Sequence, residues 1–192
     1  MSFEVGRCIK DALNSRGVKM RAEIITSIEA LAGIKEEWNK LLEGSISNTV
    51  FLTWEWLYSW AERFINGKRE LLVIKVFDDA NRLVGIAPWY TDRIHVGPAS
   101  IRQLGFLGSP EPASDYLDVF TSRGREKEVS NYLYDFLFGE LTAGWDALNF
   151  QDVRAESLFL LNFIHNHRLR GRHFGISQGS FCPIIVLPKT EE

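Results

Sequence analysis

Two stretches of apolar and β-branched residues, Leu71 to Phe77 and Leu83 to Tyr90, are separated only by Asp78-Asp79-Ala80-Asn81. Runs of this kind around a polar turn predict two antiparallel strands. The second run contains Gly85-Ile86-Ala87-Pro88-Trp89. Proline cannot donate to a strand ladder, so Pro88 marks either a sheet edge or a point where the strand leaves its neighbour. Leu104-Gly105-Phe106-Leu107-Gly108 then repeats the alternation of apolar residues with glycine, and Ser114-Asp115-Tyr116-Leu117-Asp118 ends it in polar and acidic residues. The segment reads as sheet with one edge built for a ligand.

The flanking sequence supplies helices and further strands. Cys8, Ile9, Ala12 and Leu13 follow helical spacing, and Glu23 to Thr26 reads as a first strand. Thr26 and Glu29 form a capping-box pair opening a helix, with Ile28, Leu31, Ile34, Trp38, Leu41 and Leu42 as its apolar stripe, Gly33 as a weak point and Gly44 as its end. Thr53 is placed to cap a second helix carrying Trp56, Leu57, Trp60, Ala61 and Phe64. Ile101 to Leu107 and Tyr116 to Phe120 read as strands, residues 125–138 as a helix, and Trp145 to Phe150 as a strand. Ser157 to Arg170 reads as a helix with Leu158, Leu161 and Ile164 inward. His173 to Ile176 and Ile184 to Leu187 read as closing strands. Hairpins followed by alternating strands and helices predict one α/β domain with a mixed sheet.

Composition narrows the function classes. The 192 residues are 45% hydrophobic and 24% charged, with a net charge of -3, so no basic excess points to nucleic acid. No apolar run approaches the roughly 18 residues of a membrane span, and the N-terminus has no signal-like apolar core, so a cytoplasmic protein is expected. Cys8 and Cys182 are far apart and outside any metal-binding spacing. His165 and His167 face different ways on a helix, so no metal is expected. Arg168, Arg170 and Arg172 suit a solvated helix end.

Asp115 and Tyr116 are the strongest polar candidates for a site. A carboxylate can hold an amine or a sugar hydroxyl, and a phenol can orient it. The alternative is a turn in which Asp115 bonds local N–H groups. Trp89 and Tyr90 follow Pro88, and alternation along a strand predicts that one of them points away from the core and can line a cleft. Trp56 and Trp60, one helical turn apart, suit either ring stacking on a ligand or the core. Two stretches approach the phosphate-cradling pattern Q/R-x-x-G-x-G/A. Arg102-x-x-Gly105-x-Leu107 reads as strand, and Arg168-x-x-Gly171-x-His173 lies at a helix end where the dipole repels phosphate.

Several motifs in order resemble the FemAB-like double-GNAT acyltransferases, in particular the branch of CelD-type cellulose and exopolysaccharide proteins with its BioF2-like acetyltransferase domain. They are Trp38 with Leu41, Phe51-x-Thr53-x-x-Trp56-x-x-x-Trp60, Val84 to Pro88, Leu104 to Gly108 with Asp115 to Asp118, and Cys182 to Pro188. The resemblance implies an α/β (α+β) fold with a GNAT-like, mostly antiparallel sheet flanked by helices. Residues 1–22 would be an N-terminal extension, and 23–192 an N-terminal GNAT-like half. It also implies acyl transfer from acetyl-CoA or a similar thioester to an amine, in polysaccharide or cell-envelope biosynthesis. In that family a second half follows the Leu-Pro that here is Leu187-Pro188. This chain is thus expected to be the acceptor-side half, with acetyl-CoA as co-substrate but no complete site for it. Its partners would be a small-molecule, sugar or peptide-precursor acceptor and a second GNAT-like half or a second copy. A non-catalytic binding or scaffold module is the other expectation, and it predicts an exposed apolar patch.

Overall fold

The computed structural model of the chain describes residues 8–13, 19–111 and 114–177. Its sheet contains β1 (Cys8–Leu13), β2 (Lys19–Ile25), β3 (Arg69–Phe77), β4 (Leu83–Val96), β5 (Ala99–Phe106), β6 (Phe120–Thr121) and β7 (Ala147–Leu148). The order is β1-β2-β3-β4-β5-β7, with β6 paired to β4. Every pairing of named strands is antiparallel except β5 with β7, so the fold is a mixed, mostly antiparallel sheet flanked by helices.

Helices α1 (Ile28–Ala32), α2 (Lys35–Glu43) and α3 (Trp54–Phe64) precede the hairpin, while α4 (Glu126–Gly139) and α5 (Leu158–Leu169) follow it. Trp60 of α3 packs on Tyr90 and Phe159 of α5 packs on Trp89, so successive residues of β4 meet helices on opposite faces. Gly85 shows how tight the second face is. A Cβ there would lie 2.6 Å from Val129 Cγ1 of α4, which explains glycine at this position on an otherwise bulky strand.

Pro88 occupies an interior strand, opposite Val73 of β3. Its carbonyl accepts from Leu107 N at 2.8 Å just past the end of β5. Below it β4 changes partner, pairing with β6 at Gly85 and Ile86. The missing N–H therefore falls at the changeover between two neighbours.

The structure corrects several expectations. Cys8 to Leu13 forms a strand, because its register with Glu23 to Lys19 gives the backbone a ladder that a short helix would lack. The cap of the first helix is Ser27, whose hydroxyl accepts from Ala30 N at 3.2 Å, one residue beyond Thr26. The stripe from Ile28 to Leu42 spans two helices that break at Gly33-Ile34. Thr53 stands at the N-cap of α3, but its hydroxyl donates to the Val50 carbonyl instead of capping. The strand expected at 145–150 shrinks to Ala147–Leu148, and that at 116–120 to Phe120–Thr121 plus one isolated bridge, Leu117 to Val153.

On α5 the inward residues are Phe159 and Phe163, while Leu158 and Leu161 are exposed. The larger rings win the interior, where they join Trp89, Phe106, Phe150 and Tyr134. Residues 173–176 are not a strand. Ile184 to Leu187 and Cys182 lie outside the described residues.

Candidate functional site

The parallel pair β5 and β7 joins at Gln103 with Ala147 and Leu104 with Leu148, then opens. Parallel neighbours require a crossover, here supplied by α4. In open sheets the crevice beyond the carboxyl ends of such strands is where ligands bind. Two loops meet there, one after β5 (residues 107–119) and one after β7 (residues 149–157). The Asp152 carbonyl accepts from Leu117 N at 2.9 Å, and Ser109 Oγ donates to Asp152 Oδ2 at 3.0 Å. Tyr116 and Asp152 have φ of 61° and 59°. Non-glycine residues in the left-handed region cluster at ligand sites, because a surrounding structure must hold them there at some cost.

Asp115 and Tyr116 sit half-buried on the first of these loops. Arg154, from the second, places its guanidinium carbon 4.2 Å from the Tyr116 ring centroid. The first loop is docked on α3 by two indoles. Trp56 Nε1 donates to Ser114 Oγ at 2.9 Å, and Trp60 Nε1 donates to the Glu111 carbonyl. The two tryptophans thus hold the loop that carries the site. A polar cleft of about 380 Å³ is lined by Asn66, Lys68, Arg69, Asp92, Arg93 and Glu111. Its central cation, Arg69, is committed to Asp92 at 3.1 Å and Glu111 at 3.8 Å, and lies over the rings of Trp60 and Tyr90. That arrangement makes it a second clamp on the loop.

Neither Trp89 nor Tyr90 points away from the core, because helices cover both faces of β4. Trp89 is 0% exposed among Phe106, Phe150 and Phe159. Tyr90 is 4% exposed, and its hydroxyl donates to the Ser109 carbonyl at 2.9 Å. Burial pushes the Tyr90 phenol above its ordinary pKa, with Asp92 and Glu111 adding to the effect and Arg69 opposing it. Tyr90 therefore supports the site loop from below as a neutral donor.

Asp118 is the polar residue that sequence reasoning passed over. It is 6% exposed and ties three elements together. Ser47 Oγ, after α2, donates to Oδ2 at 2.8 Å. Ser157 Oγ, the N-cap of α5, donates to Oδ1 at 2.8 Å, as does Val119 N. Burial raises its pKa to about 6, against the opposing pull of Ser157, Ser47, the Val119 N–H and the Arg154 charge. The carboxylate was visible in the Asp115-Tyr116-Leu117-Asp118 stretch, but its two serine donors come from positions that no spacing rule connects.

The start of α4, the crossover helix, is a helix N-terminus of the kind that can cradle a phosphate. The residues there do not fit one. Glu126 and Glu128 occupy the first turn, and Glu126 Oε1 already accepts the Gly124 N–H at 3.0 Å. Arg125 is held by Glu128 at 2.7 Å and faces Asp78 at 3.8 Å. The two phosphate-loop near matches lie, as expected, on strand β5 and at the C-terminal end of α5. Among the described residues no cluster of three or more His, Cys, Asp or Glu could hold a metal ion, and no helix is long and apolar enough to cross a membrane.

Solved structures similar to the chain include acetyltransferases. An aminoglycoside acetyltransferase, HMB0005, from an uncultured soil metagenomic sample is similar over 86% of this chain and 99% of its own, at 10% identity and a TM-score of 0.51. A probable acetyltransferase matches 88% of this chain and 99% of its own, at 11% identity and a TM-score of 0.45. The aminoglycoside 6'-N-acetyltransferase AAC(6')-Ih from Acinetobacter baumannii matches 87% and 99%, at 10% identity and a TM-score of 0.44. The first of these likenesses defines the fold as that of the GNAT acetyltransferases. No protein-family model matches the chain, and no curated protein matches it.

Proposed function

We propose that this chain is the acceptor-binding part of a GNAT-type N-acyltransferase that holds an amine at the opening between β5 and β7. The observation that carries the reading is the convergence there of Asp115, Tyr116, Asp152 and Arg154 on two interlocked loops. Asp115 would hold the acceptor ammonium and Tyr116 would orient it. The donor thioester, acetyl-CoA or a relative, would be held by a second GNAT-like surface, because the acidic first turn of α4 suits phosphate poorly. Residues 23–192 are then a GNAT-like half. One similar solved structure is an aminoglycoside acetyltransferase, which supports an amine on a sugar as acceptor, in keeping with a role in polysaccharide or cell-envelope precursors.

Calorimetry with glucosamine and, separately, acetyl-CoA tests this. The reading predicts saturable heat with the amine and none with millimolar acetyl-CoA. Binding of acetyl-CoA by the chain alone would make it a self-sufficient acyltransferase, and absence of glucosamine binding would remove the acceptor role.

A non-catalytic module that pairs with another surface is the second reading. It is supported by Leu158, Leu161 and Leu169, which stand 42%, 49% and 71% exposed along one side of α5. Sedimentation of the chain across micromolar concentrations separates the two. Self-association lost on Leu161→Glu supports the module, and a monomer at all concentrations argues against pairing with itself.

A further inference from the structure

We infer that the acceptor carries an oxyanion group, a phosphate or a carboxylate, beside its amine, and that Arg154 is the residue that receives it. The inference rests on the acceptor reading above and narrows its substrate class.

Among the described residues Arg154 is a cation without a committed partner. Among the described residues no carboxylate lies within 4.0 Å of its nitrogens, and its Nε is buried without a hydrogen bond. A partly buried guanidinium in that condition forgoes strong charge-assisted bonds and is costly to maintain. The acids around it are otherwise engaged. Asp118 acts on it only through its field, and both Asp118 oxygens are filled by Ser47, Ser157 and the Val119 N–H. Asp152 Oδ2 takes the Ser109 hydroxyl. Glu156 is exposed, two residues along the chain.

The group is nevertheless held in place. Tyr116 lies under its guanidinium at 4.2 Å, and the left-handed backbone of Tyr116 and Asp152 fixes both loops. Stacking leaves the planar N–H fork free to bind an oxyanion in bidentate fashion, which a lysine could not do. Arg154 also precedes α5, a twelve-residue helix whose N-cap is Ser157, so the local dipole favours negative charge. Asp115, adjacent to Tyr116, supplies the opposite charge. A ligand that satisfies both has an ammonium and an oxyanion a few bonds apart.

The test compares glucosamine, glucosamine 6-phosphate and 2-amino-2-deoxygluconate by calorimetry on the full chain at fixed ionic strength. The two anionic amines are expected to bind about tenfold or more tighter than glucosamine, and the stronger of them names the oxyanion. Arg154→Gln should abolish the preference of both anionic amines over glucosamine. Tyr116→Leu, which removes the platform and keeps the charge, should lose part of the preference. Equal affinity for all three ligands, or a preference that survives Arg154→Gln, would overturn the inference and leave the amine site standing. No binding of any of the three would remove the acceptor reading and this inference with it.

Discussion

The indole N–H of Trp56 donates to the Ser114 hydroxyl at 2.9 Å, linking the first turn of α3 to the loop that carries Asp115 and Tyr116. Trp60, one turn on, makes the parallel link to the Glu111 carbonyl. Trp56→Phe keeps most of the ring and removes the donor, so it should cost about 1 kcal/mol. The effect should be local. Amide exchange should quicken across residues 108–117 while β3 and β4 keep their protection, as hydrogen exchange by mass spectrometry would report.

Asp118 gives the protein a signature in pH. Its folded pKa is about 6, above that of an unfolded aspartate, so the folded state binds the extra proton. Its contribution to stability therefore falls as pH rises from about 4 to about 6, and the loss persists above that, on the order of 3 kcal/mol. Asp118→Asn can still accept from Ser157 and Val119 through its carbonyl. The difference between the unfolding curves of the two proteins should slope through that window and be flat above it. Parallel curves from pH 4 to 7 would show that Asp118 titrates normally.

Trp89 separates volume from polarity in the second face of the core. Trp89→Ala should cost about 3–5 kcal/mol, by cavity and lost ring contacts. Its indole N–H is buried and has no partner among the described residues. Trp89→Phe removes that orphan donor together with part of the volume, so chemical denaturation should find it much less costly than Trp89→Ala.

Gly85→Ala forces a methyl to 2.6 Å from Val129 Cγ1. Overpacking of this kind costs about 1–3 kcal/mol. The double change Gly85→Ala with Val129→Ala should recover part of the loss, and a thermal-melt double-mutant cycle reads the coupling directly.

The fold was legible where local chemistry agrees with global packing. The Asp78 to Asn81 turn between two apolar runs gave β3 and β4, and Gly85, Pro88 and Gly105 lie where the sheet needs a close approach or a change of partner. The first strand was misread because Cys8, Ile9, Ala12 and Leu13 fit a helical spacing that only pairing with β2 overrides. On α5 the leucines and phenylalanines compete for the interior, and periodicity cannot rank them by ring size. Asp115 and Tyr116 were visible as a polar break in an apolar run. Arg154 and Asp152 were not, since only the parallel β5–β7 pairing brings their loop beside Tyr116. Strand alternation turns one of Trp89 and Tyr90 away from the core only in a sheet open on one side, whereas α3 and α5 cover β4 from both.

The proposed site for the amine lies where the loops after β5 and β7 meet. Amide chemical-shift mapping during a glucosamine titration tests it most directly. Saturable shifts confined to residues 108–118 and 150–157, weakened at least severalfold by Asp115→Asn, are the predicted result. Shifts centred on the cleft beside Arg69, or no saturable shift at all, would contradict it.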